Sequence, residues 1–418
     1  MRCCLSLMAL LTFSTSAFAE DWPQWLGLTR DGVSSEKVDT WKEAPKVFWH
    51  TSVGEGHSSP VVAKGKVFLH YRREKEKSNP KAYEEVLVAY DAKSGDRLWE
   101  TACGDTTKFS SVFGNGPRST PSVVEDRIYT LGVTGILSCF EVDKGKLLWQ
   151  KDTLKEFNAA NLFFGVSGSP LVDGELVLLN VGGKNASIVA FHRKTGEVAW
   201  KNLDDPASYS SGIVFGQGKA RQAIFLTGKG LVSLHPEDGA VFWDQPFVDK
   251  LNESSTTPVR VGILLVSSTI MSGALALELG DKDVKPGIKK VAWKNPDLTC
   301  YFSTPVAVGK DHLYMVTGSS SILKAQADLH CVEVATGKVL WTKPKVGKYH
   351  ACLIRTGDDK LLMLEEGSDL VLIQPDPKEY RELARSKVCG ETWAHPALSN
   401  GKLYVRDAKE LICLQLGS

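Results

Sequence analysis

The sequence lacks the features that mark several common classes of protein. Its 418 residues carry 50 Lys and Arg against 49 Asp and Glu, so the formal net charge is only +1. A near-neutral chain has no electrostatic footprint for nucleic acid and gives no reason to expect an acidic substrate. No apolar run is long enough to span a bilayer. With 43% hydrophobic and 24% charged residues, the composition is that of a well-packed soluble protein and excludes disordered, fibrous and polytopic membrane chains.

Metal-binding and disulfide patterns are also lacking. The cysteines include no C-x-x-C, and the histidines show no H-x-H or H-E-x-x-H spacing, so no metal site is predicted. Cys3 and Cys4 lie in the N-terminal segment described next, which leaves an odd number of cysteines elsewhere and disfavours a disulfide framework. Cys352 and Cys389 could pair in an oxidising compartment, but buried free thiols are the expected state.

Residues 1–19 have the pattern of a signal peptide. Arg2 gives a positive start, Leu5–Phe13 is a short apolar stretch, and Ala17–Ala19 is an A-x-A cleavage site. We therefore expect a mature chain that begins at Glu20 and is exported to the periplasm or secreted. Cys3 and Cys4 precede the apolar stretch, so neither is placed to become a lipidated N-terminal cysteine.

Tryptophan and glycine, in contrast, are abundant and periodic. Seven of the eleven tryptophans recur at intervals of 43 to 51 residues, which is the signature of a repeat array. They are Trp49, Trp99, Trp149, Trp200, Trp243, Trp293 and Trp341. Most of them close a strand–turn–strand phrase, and a glycine such as Gly95 or Gly145 stands four residues earlier, where a tight hairpin needs a positive φ. We interpret these tryptophans as structural core residues that dock neighbouring repeats.

The repeat predicts an all-β, eight-bladed β-propeller. Two more strands precede each phrase, so one repeat is a four-stranded antiparallel blade. The first phrase has no strands before it, whereas the C-terminal stretch has three strands and no closing tryptophan strand. We therefore predict that Lys46–Ser52 is the outer strand of the last blade and closes the ring. The predicted organisation is a signal peptide over 1–19, an N-terminal segment over 20–45 and the propeller over 46–418.

Three cysteines fit this repeat as small structural residues. Cys139, Cys331 and Cys413 occupy the third-strand position held by Ala89 and Ser233 in other blades. Equivalent positions on different blades are too far apart to form a disulfide.

The phrase A-x-D-x-x-[TS]-G-x-x-x-W, seen over Ala89–Trp99, resembles the tryptophan-docking motif of the PQQ-like repeat family of quinoprotein-type propellers. The opening Asp21–Trp25 and Arg30–Gly32 resemble the leader of exported members of that family. The resemblance covers nearly the whole mature chain and implies a small residue packed against a tryptophan of the adjoining blade. The family holds pyrroloquinoline-quinone (PQQ) dehydrogenases and also non-enzymatic propellers, including the propeller lipoprotein of the outer-membrane β-barrel assembly machine.

The chain departs from both kinds of relative. The dehydrogenases carry a vicinal Cys-Cys disulfide over the quinone and a Glu, Asn and Asp set for calcium and base catalysis. Here the sole Cys-Cys pair, Cys3 and Cys4, lies in the signal peptide, and no calcium ligand or catalytic residue can be mapped. No lipobox cysteine follows the apolar stretch either. We expect a monomeric binding or scaffold module for a protein or small-molecule partner, with no cofactor. The alternative is a PQQ-dependent oxidoreductase of the alcohol or sugar dehydrogenase type, with PQQ and Ca²⁺ in the central funnel.

Propeller topology predicts where a ligand or partner would bind. The links from each outer strand to the next inner strand cross one face, so the residues just before the inner strands ring its central opening. The candidates there are His57, Arg118, Tyr209, Tyr301, His350, Trp393 and His395, with Lys184 opening on the same face from a hairpin. Arg118 and Lys184 would supply fixed positive charge for an anion, and the histidines would add charge only toward acidic pH. Packing inside the funnel is an equal alternative for the aromatic residues.

Two loops are further candidates for binding sites. Gly182–Asn185 could form an anion-binding nest, but a plain hairpin connection is favoured. Arg72–Lys77 is mixed in sign, and a solvated loop is favoured over a docking site.

Overall fold

The structure, a computed structural model, describes residues 20–75, 81–280, 286–319 and 325–416. The predicted signal peptide lies outside these residues, as do Glu76 and Lys77. Within the described residues, 32 strands form eight four-stranded antiparallel sheets. The predicted eight-bladed β-propeller is therefore confirmed.

The first four blades each use four consecutive strands, numbered outward from the central channel. Blade one is β2 (Val61–Ala63), β3 (Lys66–Glu74), β4 (Tyr83–Asp91) and β5 (Arg97–Asp105). Blade two is β6 (Ser122–Val124), β7 (Arg127–Leu131), β8 (Ile136–Glu141) and β9 (Leu147–Asp152). Blade three is β10 (Leu171–Asp173), β11 (Leu176–Gly183), β12 (Ala186–His192) and β13 (Val198–Asn202). Blade four is β14 (Ile213–Phe215), β15 (Gln222–Leu226), β16 (Gly230–Leu234) and β17 (Val241–Pro246).

The next three blades follow the same order. Blade five is β18 (Val259–Val261), β19 (Leu264–Thr269), β20 (Gly273–Leu279) and β21 (Ile288–Asn295). Blade six is β22 (Val306–Val308), β23 (His312–Thr317), β24 (Ala327–Glu333) and β25 (Val339–Gly347). Blade seven is β26 (Ala351–Arg355), β27 (Leu361–Glu365), β28 (Asp369–Gln374) and β29 (Arg381–Lys387). The described helical turns are α1 (Thr153–Glu156) and a 3₁₀ turn at Gly218–Ala220.

Blade eight is built from both ends of the chain. It comprises β30 (Ala397–Ser399), β31 (Lys402–Arg406), β32 (Glu410–Gln415) and, as its outer strand, β1 (Lys46–Ser52). β1 runs antiparallel to β32 with Trp49 opposite Cys413 and Ser52 opposite Glu410. The predicted closing strand is confirmed at both of its ends, and closure leaves no open blade in the ring.

The blades are held together by indole rings that cross from one sheet to the next. The Trp99 Nε1–H donates to the Val142 carbonyl oxygen of blade two at 3.1 Å, and its ring covers Gly145. A Cβ at Gly145 would lie 2.3 Å from Trp99 Cε3, and its φ is +65°. Glycine is therefore required by the close approach as well as by the turn. The same pairing recurs for Trp49 with Gly95, Trp149 with Gly196, Trp200 with Gly239 and Trp293 with Gly337.

Blades four, six and seven depart from this pattern. In blade six the Trp341 Nε1–H donates to the Asp376 carbonyl of blade seven, but the ring covers no glycine of the described residues. The Trp243 Nε1–H donates to Gln222 Oε1 of its own blade. Blade seven has Ala384 in place of a tryptophan, paired with Leu372. Close by, the N-terminal segment supplies Trp41, whose Nε1–H donates to Ser386 Oγ at 3.0 Å. An indole from outside the repeat therefore packs beside the one blade that lacks its own.

The cysteines are small core residues. Cys139, Cys331 and Cys413 lie directly opposite Trp149, Trp341 and Trp49, the register that Ala89 shares with Trp99. The seven cysteines of the described residues are all free, Cys352 and Cys389 included. The disulfide considered for that pair is therefore not formed.

The first part of the N-terminal segment, residues 22–30, lies in the central channel against the first strands, whereas Thr40 and Trp41 bond the outer strand of blade seven. The backbone of Trp22 exchanges two hydrogen bonds with Val62 of blade one, and the Pro23 carbonyl accepts from Val123 N of blade two. Trp22 and Leu26 are almost fully buried. The sequence pattern identified this segment only by its position, whereas the structure shows that its first part fills the channel.

Arg30 is the polar anchor of this segment. It is 3% exposed, and it donates to the carbonyl oxygens of Ser169 and Pro170 in blade three and of Gly212 in blade four. A fourth bond goes to Gln24 Oε1 at 3.1 Å. Burial lowers its pKa to about 9. One guanidinium thus ties the segment to the start of two inner strands.

Candidate functional site

The links between consecutive blades build a recess at one end of the channel, which we call the mouth. Its inner part is a cavity of about 110 Å³. The lining residues lie just before inner strands, with Trp25 of the N-terminal segment added. They are Trp25, His57, Arg118, Phe164, Ser167, Ser169, Tyr209, Ser211, Ser255, Phe302 and Trp393. Because residues 22–30 occupy the channel, the mouth is a cup and not an open pore.

An outer groove of about 280 Å³ adjoins this cavity and shares Phe164, Phe302 and Trp393 with it. Its lining is almost entirely apolar and aromatic. The remaining members are Phe113, Phe163, Leu251, Glu253, Tyr301 and Tyr349. Glu253 is the one charged side chain of that lining, so the groove suits an apolar occupant.

Trp393 lies at the centre of the aromatic cluster. Its ring centroid is 5.3 Å from those of His57 and Phe302, at interplanar angles of 30°. Its Nε1–H donates to Glu366 Oε1 at 2.9 Å. The other oxygen of Glu366 accepts from the backbone N–H groups of Lys348 and Tyr349, both at 2.8 Å. The indole is therefore fixed by a carboxylate that is itself held by two amides.

Tyr301 extends the cluster into the outer groove. It stacks on Phe302 with centroids 3.8 Å apart, and its hydroxyl donates to Glu253. Burial and the neighbouring Glu253 carboxylate raise the pKa of Tyr301, so the phenol stays protonated. Tyr209 lines the inner cavity, and its hydroxyl accepts a hydrogen bond from Phe164 N at 3.2 Å.

Arg118 and His57 are the basic residues of the cavity wall, and both bond backbone carbonyls of the β5–β6 link, to which Arg118 itself belongs. Arg118 donates to the carbonyls of Phe113 and Gly114 at 3.0 Å and of Gly116 at 3.3 Å. Burial lowers its pKa to about 10. The His57 Nε2 bonds the Phe113 carbonyl at 3.1 Å, and burial together with Arg118 lowers its pKa to about 3. Arg118 therefore organises residues 113–116 as well as facing the cavity.

His350 and His395 lie behind the cavity wall instead of lining it. His350 is 2% exposed and contacts Trp393 edge-on, and burial lowers its pKa to about 4. His395 stacks on Trp22 and bonds the carbonyls of Pro396 and Leu353. Burial also lowers the pKa of His395. Burial thus lowers the pKa of all three histidines, to about 3 for His57 and about 4 for His350, which opposes the charge expected from them toward acidic pH.

Lys184 also differs from the expectation. It is exposed at the β11–β12 turn and is not among the residues that line either cavity. The turn opens on the mouth face, but it joins the second and third strands and so lies farther from the axis than the inner-strand crossings. The adjacent Asn185 N–H donates to Asp204 Oδ1 at 2.6 Å, so the Gly182–Asn185 turn already holds a carboxylate of this chain.

Of the residues predicted from the sequence, four line the inner cavity and one lines the outer groove. The four are His57, Arg118, Tyr209 and Trp393, and the one is Tyr301. Sequence reasoning missed Trp25, Phe113, Phe163, Phe164 and Phe302, which supply most of the apolar surface. A signal for part of this set exists in the paired aromatics Phe163-Phe164 and Tyr301-Phe302, which stand before inner strands. Trp25 gives no such signal because its place follows from the path of the N-terminal segment.

The cavity fits the PQQ alternative poorly. Arg118 is the single Lys or Arg of its lining, whereas PQQ carries three carboxylates. The described residues contain no group of three His, Cys, Asp or Glu side chains placed to hold a metal ion. Use of PQQ and Ca²⁺ stays a prediction of the resemblance, and we derive no step through either.

Comparison with known proteins decides the family. A family model described as outer membrane protein assembly factor BamB matches residues 83–343, which is more than half of the chain. The chain belongs to this family. The BamB of Burkholderia pseudomallei is 26% identical over 306 residues, 69% of this chain and 67% of that protein. The BamB of Yersinia pestis is 25% identical over 280 residues, 59% of this chain and 63% of that protein. The matches thus span about two thirds of the length of these BamB relatives.

Solved structures agree on the fold. The crystal structure of BamB from Moraxella catarrhalis aligns with a TM-score of 0.57 at 12% identity, over 88% of this chain and 98% of that one. The quinohemoprotein alcohol dehydrogenase of Comamonas testosteroni aligns with a TM-score of 0.64 at 12% identity, over 95% and 80%. At such identities the likeness shows the propeller alone. Within the part of this BamB-family chain that the structure describes, no helix has the length and apolar character needed to cross a bilayer.

Proposed function

We propose that this BamB-family propeller is an exported, periplasmic scaffold that binds an apolar segment of a partner protein at its mouth during the assembly of outer membrane proteins. The family description supports the assembly role. The aromatic outer groove, with its single charged residue Glu253, supports an apolar segment as the bound group.

The observation that carries the proposal is the exposure of apolar side chains around the groove. Val112 is 86% exposed and Phe163 is 70% exposed, the highest values among the large apolar residues of the described chain. They stand on the β5–β6 and β9–β10 links, which both cross the mouth face. Leu251, on the β17–β18 link, is 47% exposed. Apolar side chains clustered around an apolar groove mark an interaction site.

The test compares two matched double variants. Val112→Ser with Phe163→Ser removes apolar surface at the mouth. Leu28→Ser with Ile263→Ser removes it on the opposite face, where both residues are 57% exposed. The probe is a fluorescently labelled outer membrane β-barrel protein, diluted from urea, and binding is measured by fluorescence anisotropy.

We expect the mouth variant to bind at least tenfold more weakly and the opposite-face variant to bind like the parent. Both should keep the parental melting temperature, because exposed apolar side chains contribute little to stability. Equal affinity for the two double variants would rule out the mouth as the binding surface.

A further inference from the structure

A second cavity, the basal groove, lies at the far end of the first strands of blades three, four and five. Its volume is about 450 Å³, within the range of sites for small ligands. The strand ends β10, β14 and β18 form its walls, and residues 24–31 of the N-terminal segment form its inner side. The mouth is lined by residues that precede the same strands, so the two sites lie on opposite faces.

Arg260 gives the groove its unmatched charge. Its Nε–H donates to the Gly262 carbonyl at 3.0 Å, and its guanidinium carbon lies 4.4 Å from the centre of the Phe215 ring. These two contacts fix the plane of the guanidinium. Neither Nη group has a hydrogen-bond partner among the described residues, and no carboxylate of these residues pairs with it. Burial alone lowers the pKa of Arg260, which agrees with the absence of a nearby described acid.

The other charged side chains that line the groove already have hydrogen-bond partners within the protein. Asp173 pairs with both Nε and Nη2 of Arg221, and Arg30 donates to three carbonyls and an amide oxygen. Asp31 accepts from Thr29 Oγ1 and Val33 N through Oδ1. Three arginines and two aspartates line the groove, so it carries one net positive charge.

A smaller cavity of about 160 Å³ continues past Arg260 and adds Lys310 and Arg355. Lys310 is exposed and pairs with no acid of the described chain. Arg355 Nη1–H donates to the Ala307 carbonyl at 3.2 Å, while its Nε lies 3.8 Å from Asp359. Lys310 therefore adds a second positive charge without a described acidic partner to the lining next to Arg260.

We propose that the basal groove binds a small organic carboxylate, with the carboxylate on the Nη groups of Arg260 and its apolar body along Phe215. A planar carboxylate matches the guanidinium fork, which donates two parallel hydrogen bonds to one such group. The single unmatched charge favours a monoanion over a phosphate monoester, which carries nearly two charges at neutral pH. The apolar side chains of Val214 and Pro258 in the lining suit the rest of the ligand.

The test is calorimetric titration of the mature chain with benzoate at low salt, with benzamide as the neutral analogue. We expect benzoate to bind, its affinity to fall as salt is added, and benzamide to bind at least tenfold more weakly. Arg260→Gln should weaken benzoate binding at least tenfold. Arg260→Lys keeps the charge without the fork, so its affinity for benzoate should lie between those of the parent and Arg260→Gln. Arg381→Gln removes an exposed arginine of blade seven and should leave binding unchanged.

Equal binding by Arg260→Gln and the parent would overturn the site, as would an equal loss in Arg381→Gln. Phenyl phosphate serves as a third ligand, and tighter binding of it than of benzoate would overturn the assignment to carboxylates. Melting temperatures are measured for each variant, so that Arg260→Lys decides the outcome if Arg260→Gln fails to fold. The mouth double variant should bind benzoate like the parent, which keeps this test separate from that of the proposed function.

Discussion

The indole N–H of Trp149 donates to the Arg193 carbonyl of the next blade at 3.1 Å, and the same ring covers Gly196 so closely that a Cβ there would lie 2.6 Å from it. One side chain thus supplies a hydrogen bond and a packing surface across the blade interface. Its recurrence between blades explains why the tryptophan and glycine spacing is so regular in the sequence.

This contact predicts that Gly196→Ala is more destabilising than backbone strain alone would make it. Gly174 has a φ of +54° with nothing within 4 Å of its Cβ position, so Gly174→Ala measures the strain without the clash. We expect about 1 to 2 kcal/mol for Gly174→Ala and about 3 kcal/mol or more for Gly196→Ala. Urea unfolding of both variants gives the comparison. Equal losses in the free energy of unfolding would show that the Trp149 ring can move aside without destabilising the protein.

A disulfide across the closing strand pair should stabilise the ring. Ser52 and Glu410 are direct partners at the end of the β1–β32 ladder, a separation that a disulfide can span. Oxidised Ser52→Cys with Glu410→Cys should form an intramolecular disulfide and gain about 3 to 5 kcal/mol, because it closes a very long loop in the unfolded chain. The measurement is the urea midpoint with and without reductant. Ser52→Cys alone is the control, and a double variant that matches it under oxidation would contradict the prediction.

Arg30→Met should be strongly destabilising despite its distance from any blade core. The change leaves the carbonyls of Ser169, Pro170 and Gly212 without their donor in a buried channel. We expect a loss of about 3 kcal/mol or more in the free energy of unfolding. Lys37→Met removes an exposed charge of the same segment and should change little. A small effect of Arg30→Met would mean that the channel segment is held by Trp22 and Leu26 alone.

Glu85 should make stability fall as the pH rises. It is 1% exposed, and burial raises its pKa to about 7, although Val133 N–H donates to its Oε1 and Arg72 and Arg118 lie nearby. Between about pH 4.5 and 7 the folded state holds a proton that the unfolded state has released, so stability is lost across that interval.

Glu85→Gln mimics the protonated acid and removes this dependence. The variant should gain on the parent between pH 5 and pH 8, by on the order of 2 to 3 kcal/mol. The difference between the two proteins is the quantity to measure, because His57 and His350, whose pKa values burial lowers to about 3 and about 4, oppose the trend at acidic pH. An exposed change, Glu379→Gln, is the control. A constant difference between Glu85→Gln and the parent across this range would contradict the buried proton.

The sequence predicted the ring and its closure because both depend on a pattern that repeats. The unmatched strand before Trp49 and the unmatched strands after Ala397 leave one arrangement without an open edge. The sequence could not predict the path of residues 20–45, because Arg30 reaches carbonyls more than 130 positions away and nothing local records such contacts.

The mouth was predictable in part. Topology brings the residues before each inner strand to one face, which placed Arg118 and Trp393. It does not decide which of two successive side chains turns toward the cavity, since neighbours in an extended segment point in opposite directions. That is why Tyr349 lines the outer groove while its neighbour His350 is buried behind the wall.

The join between β1 and β32 also constrains when the protein can become native. His50 and Glu410 of that pair are separated by 360 positions, among the longest loops that this chain could close. Until the last blade is synthesised, β1 has no partner and β32 does not exist. Contacts of such high sequence separation are slow to form, so seven blades can assemble while the ring is still open. During that interval the edge of the last blade is open to strands of other chains, which makes ring closure the step most sensitive to aggregation.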